Sequence, residues 1–129
     1  MSIQDLINYR IEKAKNTIIE AEKMAEIEHW NACVNRLYYA CFYAVNALLI
    51  KYNFSSSKHS GVRGLLNKHF IKNGVIDKDF GKLYNSLFIF RQQSDYEDFF
   101  EMDKSETQPK ISKTKEFITE IEKLLSKEK

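Results

Sequence analysis

Glycine and proline are almost missing from this chain: four and one, respectively, among 129 residues. Tight turns between strands draw on both, whereas long helices run without them. The scarcity argues against a sheet-rich fold and predicts an all-α one. Cysteine is nearly as rare. Cys33 and Cys41 stand eight residues apart in one predicted helix, about 12 Å along its axis and beyond the roughly 7 Å that a disulfide can bridge. Their spacing matches no zinc motif, so they are expected as small, reduced core residues. A surplus of either charge is also lacking. The formal net charge is +2, which leaves any nucleic-acid binding to a local basic patch rather than to the molecule as a whole. The longest uncharged run, 37–50, has 14 residues, short of the roughly 20 needed to cross a bilayer. The opening "MSIQDLINYR" is polar, unlike a secretory signal. A soluble, cytoplasmic protein with no membrane partner is expected.

What is present suits a real core: 43% hydrophobic residues, with nine Phe and seven Tyr. One helical domain over 1–129 is expected, in about five helices. Ser2 can cap the first, with Asp5 favourable in its first turn. Ile3, Ile7, Ile11, Ala14, Ile18 and Ala21 then recur at helical spacing to about residue 25. The second, about 28–52, is apolar nearly all round, and Arg36 is its one charge between Asn31 and Ile50. Such a helix must be central or part of a subunit interface, which points to a homodimer. A polar loop leads to a third helix at about 60–73. Asp77 or Asp79 opens the fourth, and Pro109 is predicted to begin the last after a loop through "EDFFEMDKSETQP".

On the fourth helix, Leu83, Leu87, Arg91 and Asp95 are spaced four apart and share a face. Arg91 thus stands where a core residue is expected. An arginine is costly to bury without partners, and Asp95 one turn on is its nearest candidate. On the second helix Asn35, Tyr39, Tyr43 and Asn46 form a stripe with Arg36 beside it. Tyrosines beside arginines suit base stacking and phosphate contact, but they equally suit a packed core or an interface. Lys58, Arg63, Lys68 and Lys72 could supply a local basic patch. Three scattered histidines, without acidic companions at ligand spacing, predict no metal site, and no cofactor is expected.

"RLYYACFYAVNALL" (36–49), "SKHSG" (57–61), "LLNKHFIKNGVI" (65–76) and "RQQSDY" (91–96) together resemble HEPN-domain proteins, specifically the small stand-alone group found beside minimal nucleotidyltransferases. The resemblance spans roughly residues 5–125. It implies an up-down helical bundle forming a two-fold dimer, in a family containing metal-independent ribonucleases that act as toxins or defence effectors. Other members bind RNA or nucleotides without cutting, and a nucleotidyltransferase is an implied protein partner. The family's motif is an arginine followed four to six residues later by a histidine, paired with its symmetry mate in a dimer cleft. Arg91 matches the arginine and would hold the scissile phosphate. Positions 95–98 hold Asp95, Tyr96, Glu97 and Asp98 and no histidine; Tyr96 stands in the histidine's window. Tyrosine titrates near 10 and histidine near 6.5, so a tyrosine is the poorer base at neutral pH.

His59 in "SKHSG" is the histidine that the bundle could bring to Arg91. The expected constellation is therefore Arg91, Tyr96 and His59 for chemistry, with Arg36, Tyr39, Lys58 and Asp95 contacting substrate or phosphate. Two other readings stay open: a non-catalytic helical dimer that holds RNA or a nucleotide through the Arg91 cleft or docks a nucleotidyltransferase or other protein, and a structural role in which Arg91–Asp95 and the tyrosines simply pack.

Overall fold

The computed structural model describes residues 1–127. Five helices follow one another: α1 (Ile3–Glu26), α2 (Trp30–Lys51), α3 (His59–Leu66, continued by a wider π-helical turn Asn67–Ile71), α4 (Lys78–Tyr96) and α5 (Lys104–Leu125). No strand occurs among the described residues. The domain is an all-α bundle, as the scarcity of turn residues predicts.

The helix starts are written in local chemistry. The Ser2 hydroxyl accepts from the Asp5 amide at 3.0 Å while the Asp5 carboxylate accepts from the Ser2 amide at 3.2 Å, a reciprocal capping box. Asp77 caps α4 by accepting from Asp79 at 2.8 Å, and Asp103 caps α5 by accepting from Glu106 at 2.9 Å. That last cap corrects the expected start at Pro109. The helix begins at Lys104, and Pro109 sits inside it, where it costs one intrahelical bond near the N-terminus. An aspartate that satisfies the first turn decides the boundary, and the proline is tolerated one turn later.

Around α2 the other four helices gather. Val34, Leu37, Tyr38, Cys41, Ala44, Val45 and Leu48 are fully buried, and both cysteines are free thiols. By length and composition α2 could cross a membrane, but 61% of its most apolar window is buried inside the bundle, as a core helix requires. Aromatic rings fill the space beneath it: Tyr84 and Phe117 are fully buried, and Phe80 stacks on Phe117 at 5.4 Å.

Asn31, in the first turn of α2, fastens the α4–α5 connection. Its Nδ2 donates to the Phe100 carbonyl at 3.0 Å and its Oδ1 accepts from the Met102 amide at 2.7 Å. Between α4 and α5 the backbone turns through Phe99 at φ 64°, and this pair of bonds holds that turn against the bundle. Asn31→Ala is expected to cost about 2 kcal/mol, the sum of two part-buried hydrogen bonds. Urea denaturation would measure the loss, and a change below about 0.5 kcal/mol would mean the clamp contributes nothing net.

Candidate functional site

Arg91 lies on the inner face of α4, one turn beyond Leu87, and only 8% of its side chain is exposed. Three features hold it. Its Nη1 donates to Asp95 Oδ2 at 3.3 Å, its guanidinium carbon lies 4.9 Å from the centre of the Tyr38 ring, and the apolar stripe below fixes its stem. Its Nε is buried with no hydrogen-bond partner. A guanidinium that spends a donor on nothing is costly to bury, and among the described residues no group accepts from Nε.

Tyr38, fully buried on α2, links Arg91 to His59: its hydroxyl lies 2.7 Å from His59 Nδ1. His59 is the first residue of α3, not a loop residue. Its ring stacks on Phe42 at 4.5 Å and meets Tyr39 edge-on at 5.8 Å. The turn before it depends on Gly61. A side chain there would place its Cβ 2.0 Å from Ser56 Oγ, and that hydroxyl accepts from the Lys58 amide at 3.2 Å. Glycine lets the serine-rich loop fold onto the first turn of α3, which turns His59 inward.

Burial first, and the positive charge of Arg91 second, hold the His59 pKa below its ordinary 6.5. The imidazole is therefore neutral at pH 7. Burial pushes the Tyr38 phenol up to about 12, so it remains a hydroxyl that orients the imidazole. In the tautomer whose Nδ1–H donates to the Tyr38 oxygen, Nε2 is left as a base. A neutral base and a fixed cation thus meet at one tyrosine, an arrangement able to remove a proton beside a phosphate and stabilise the charge that develops.

The remaining candidates divide. Tyr39 lies in the cluster, half-buried, with its ring 5.1 Å from Tyr38. Lys58 is the exposed N-cap of α3, adjacent to His59. Arg36 is separately engaged: its Nη1 donates to Glu20 at 3.2 Å, its Nε and Nη2 to Asn35 Oδ1 at 3.1 and 2.8 Å, and it lies over Tyr39 at 5.3 Å. Together with Ser94 and Asp95, Asn35 and Arg36 edge an open groove of about 460 Å³ beside Arg91. Tyr96 is not brought in. It ends α4 with 79% exposure, because five residues turn a helix about 140° away from the face that four residues preserve. A larger cleft, about 810 Å³ between α4 and α5, contains none of the candidates. Among the described residues no three His, Cys, Asp or Glu gather as a metal site.

Sequence reasoning misses Tyr38, the residue that joins the site. It stands one position off the Asn35–Tyr39 stripe, and its partner His59 is 21 residues further along, so no local pattern marks it. Neither asparagine of that stripe is hydrogen-bonded to Arg91, which pairs with Asp95. Instead Asn35 holds Arg36, and Asn46 donates to its own helix at Phe42.

The lowered His59 pKa has a sign. Protonation favours the unfolded chain, so stability linked to His59 is present at neutral pH and is lost as pH falls through 6.5 towards the folded value. In an NMR titration the His59 midpoint is expected below 6.5 and should rise in Arg91→Met. A midpoint that stays put in the variant would remove Arg91 as a cause.

The family model for the HEPN domain matches residues 7–124. A UPF0332 protein of Thermotoga maritima is 37% identical over 122 residues, covering 95% of this chain and 92% of the relative. Two Methanocaldococcus jannaschii proteins bear the name "Putative toxin". One is 33% identical over 115 residues, covering 89% of this chain and 78% of its own. The other is 30% identical over 94 residues, covering 73% and 70%. With a buried arginine, the helical bundle and a family match spanning nearly its whole length, this chain belongs to the HEPN domain family.

Proposed function

We propose that this toxin-like HEPN protein binds RNA through Arg91 and cleaves it without a metal ion, with His59 in place of the histidine that the arginine motif lacks. The observation that carries this reading is the shared contact at Tyr38: a buried arginine with an unpartnered Nε on one side, a neutral histidine on the other. A phosphate reaches Arg91 by replacing Asp95, whose side chain is 37% exposed and joined by one long bond. His59 Nε2 takes the proton of a ribose 2′-hydroxyl, the 2′-oxygen attacks phosphorus, and the bond to the 5′-oxygen breaks. The leaving oxygen takes back a proton from the imidazolium, leaving a 2′,3′-cyclic phosphate. Arg91 neutralises the charge gathering on the phosphoryl oxygens. Lys58 and Tyr39 flank this path.

The cleft is read as lying between two copies of the chain. Ala32, Tyr39, Phe42, Tyr43 and Ile50 form a continuous stripe on α2 that one chain leaves half-exposed, and a second copy would cover it. The test is end-labelled RNA incubated with purified protein in a chelator. Arg91→Ala and His59→Gln are each expected to lower the cleavage rate by about a hundredfold or more, while His59→Gln still retains RNA. Cleavage unaffected by both substitutions would overturn the reading.

A second reading is favoured by Tyr96, whose phenol is exposed at 79% five residues from Arg91. Here the protein docks a nucleotidyltransferase that transfers a nucleotide to that oxygen. Intact mass after co-expression with such a partner should show one added nucleotide on wild type and none on Tyr96→Phe. An equal gain on both would exclude Tyr96 as the acceptor.

A further inference from the structure

Resting on the phosphate reading of Arg91, we infer that the adjoining groove reads a nucleobase and that guanine is the base it accepts. The groove runs between the C-terminal half of α1, the start of α2 and the end of α4, and its volume of about 460 Å³ falls within the range of small-ligand sites. Met24 and Ala32 line it, and its polar lining is Glu20, Asn31, Asn35, Arg36, Ser94 and Asp95.

The orientation of Asn35 is fixed by its neighbour. Both Arg36 Nε and Arg36 Nη2 donate to it, at 3.1 and 2.8 Å, and a guanidinium has no acceptor to offer. The oxygen of Asn35 must therefore be the atom facing Arg36, which leaves its Nδ2 as a donor. Arg36 is itself anchored by Glu20 at 3.2 Å and by the Tyr39 ring, so the donor is held in place before any ligand arrives.

Asp95 supplies the opposite chemistry. When a phosphate takes over Arg91, the carboxylate loses its partner in the protein, and both oxygens can accept from a ligand at the groove. Two parallel acceptors match two adjacent N–H donors, and among the four bases only guanine has such a pair, N1–H and N2–H. Its O6, next to N1, is an acceptor suited to Asn35 Nδ2. Uracil, cytosine and adenine would each turn at least one ring or carbonyl acceptor towards the carboxylate, a repulsive contact that selects against them. One ligand then settles both ends of the site: its phosphate satisfies Arg91, and its base takes up the carboxylate so released.

Isothermal titration with the four ribonucleoside 3′-monophosphates at neutral pH tests this. The guanosine nucleotide is expected to bind at least about tenfold more tightly than the other three, the span of one good bidentate base contact. Asn35→Asp keeps an oxygen towards Arg36 while exchanging the donor for an acceptor. It should remove that preference and leave the other three affinities within about threefold of wild type. Asp95→Asn should likewise abolish the preference. Equal binding of all four nucleotides by wild type, lost in Arg91→Ala, would overturn the guanine assignment and leave the phosphate reading standing. Binding of none would overturn the assignment as well, and the RNA cleavage comparison of wild type with Arg91→Ala would then judge the phosphate reading separately.

Discussion

A helix with apolar residues on nearly every side has no stable existence in water until other helices surround it, and α2 sets this condition for the whole chain. The remaining four helices are amphipathic, and each contributes a single stripe to covering it. Their order and short connections follow from that need. The chain reverses from α1 into α2 through the three residues 27–29, and α4 and α5 close the far side. The aromatic residues needed to fill the space, Tyr38, Tyr84 and Phe117 among them, come from three different helices. The rigidity of the site is a consequence, because Tyr38 cannot move without disturbing the packing that holds the bundle together.

Into this apolar interior the chain inserts one guanidinium. Its partners are few for a group with five donors: a carboxylate that is partly in water, the face of a tyrosine, and no partner at Nε. A purely structural ion pair would be expected to satisfy its donors more fully, since a half-satisfied buried charge is worse for stability than an apolar residue of similar size. The proposed function reads the arrangement as a binding site whose ligand supplies the missing acceptors. The neutral state of His59 owes something to the same cation, which adds to burial by repelling a second positive charge nearby. The group that would hold a phosphate thereby also helps keep its neighbour in the protonation state a base requires.

The parts that the sequence makes legible are those decided within one or two turns of chain. Helix existence, the caps at Ser2 and Asp77, the unbridged cysteines and the Arg91–Asp95 pair all depend on spacings of two to eight residues. The start of α5 is harder to read because proline and aspartate both mark helix openings, and there the aspartate cap, six residues before Pro109, prevails. The HEPN resemblance rests on blocks of residues in order; it locates Arg91 and offers His59, without the tyrosine that joins them.

That link is decided by tertiary structure. His59 reaches the neighbourhood of Arg91 because Gly61 allows the serine loop to close on α3 and because Tyr38 projects from a different helix to meet it. Tyr96, near in sequence, is carried out to solvent by the rotation of its own helix. Arg36 is drawn to Glu20 on α1 rather than to the phosphate path. The amino-acid sequence by itself determined the helices, their buried faces and the cation within them, because periodicity and capping act locally. Which tyrosine joins that cation to His59 was settled only when five helices packed, because contacts between residues twenty or more apart depend on how whole helices are placed.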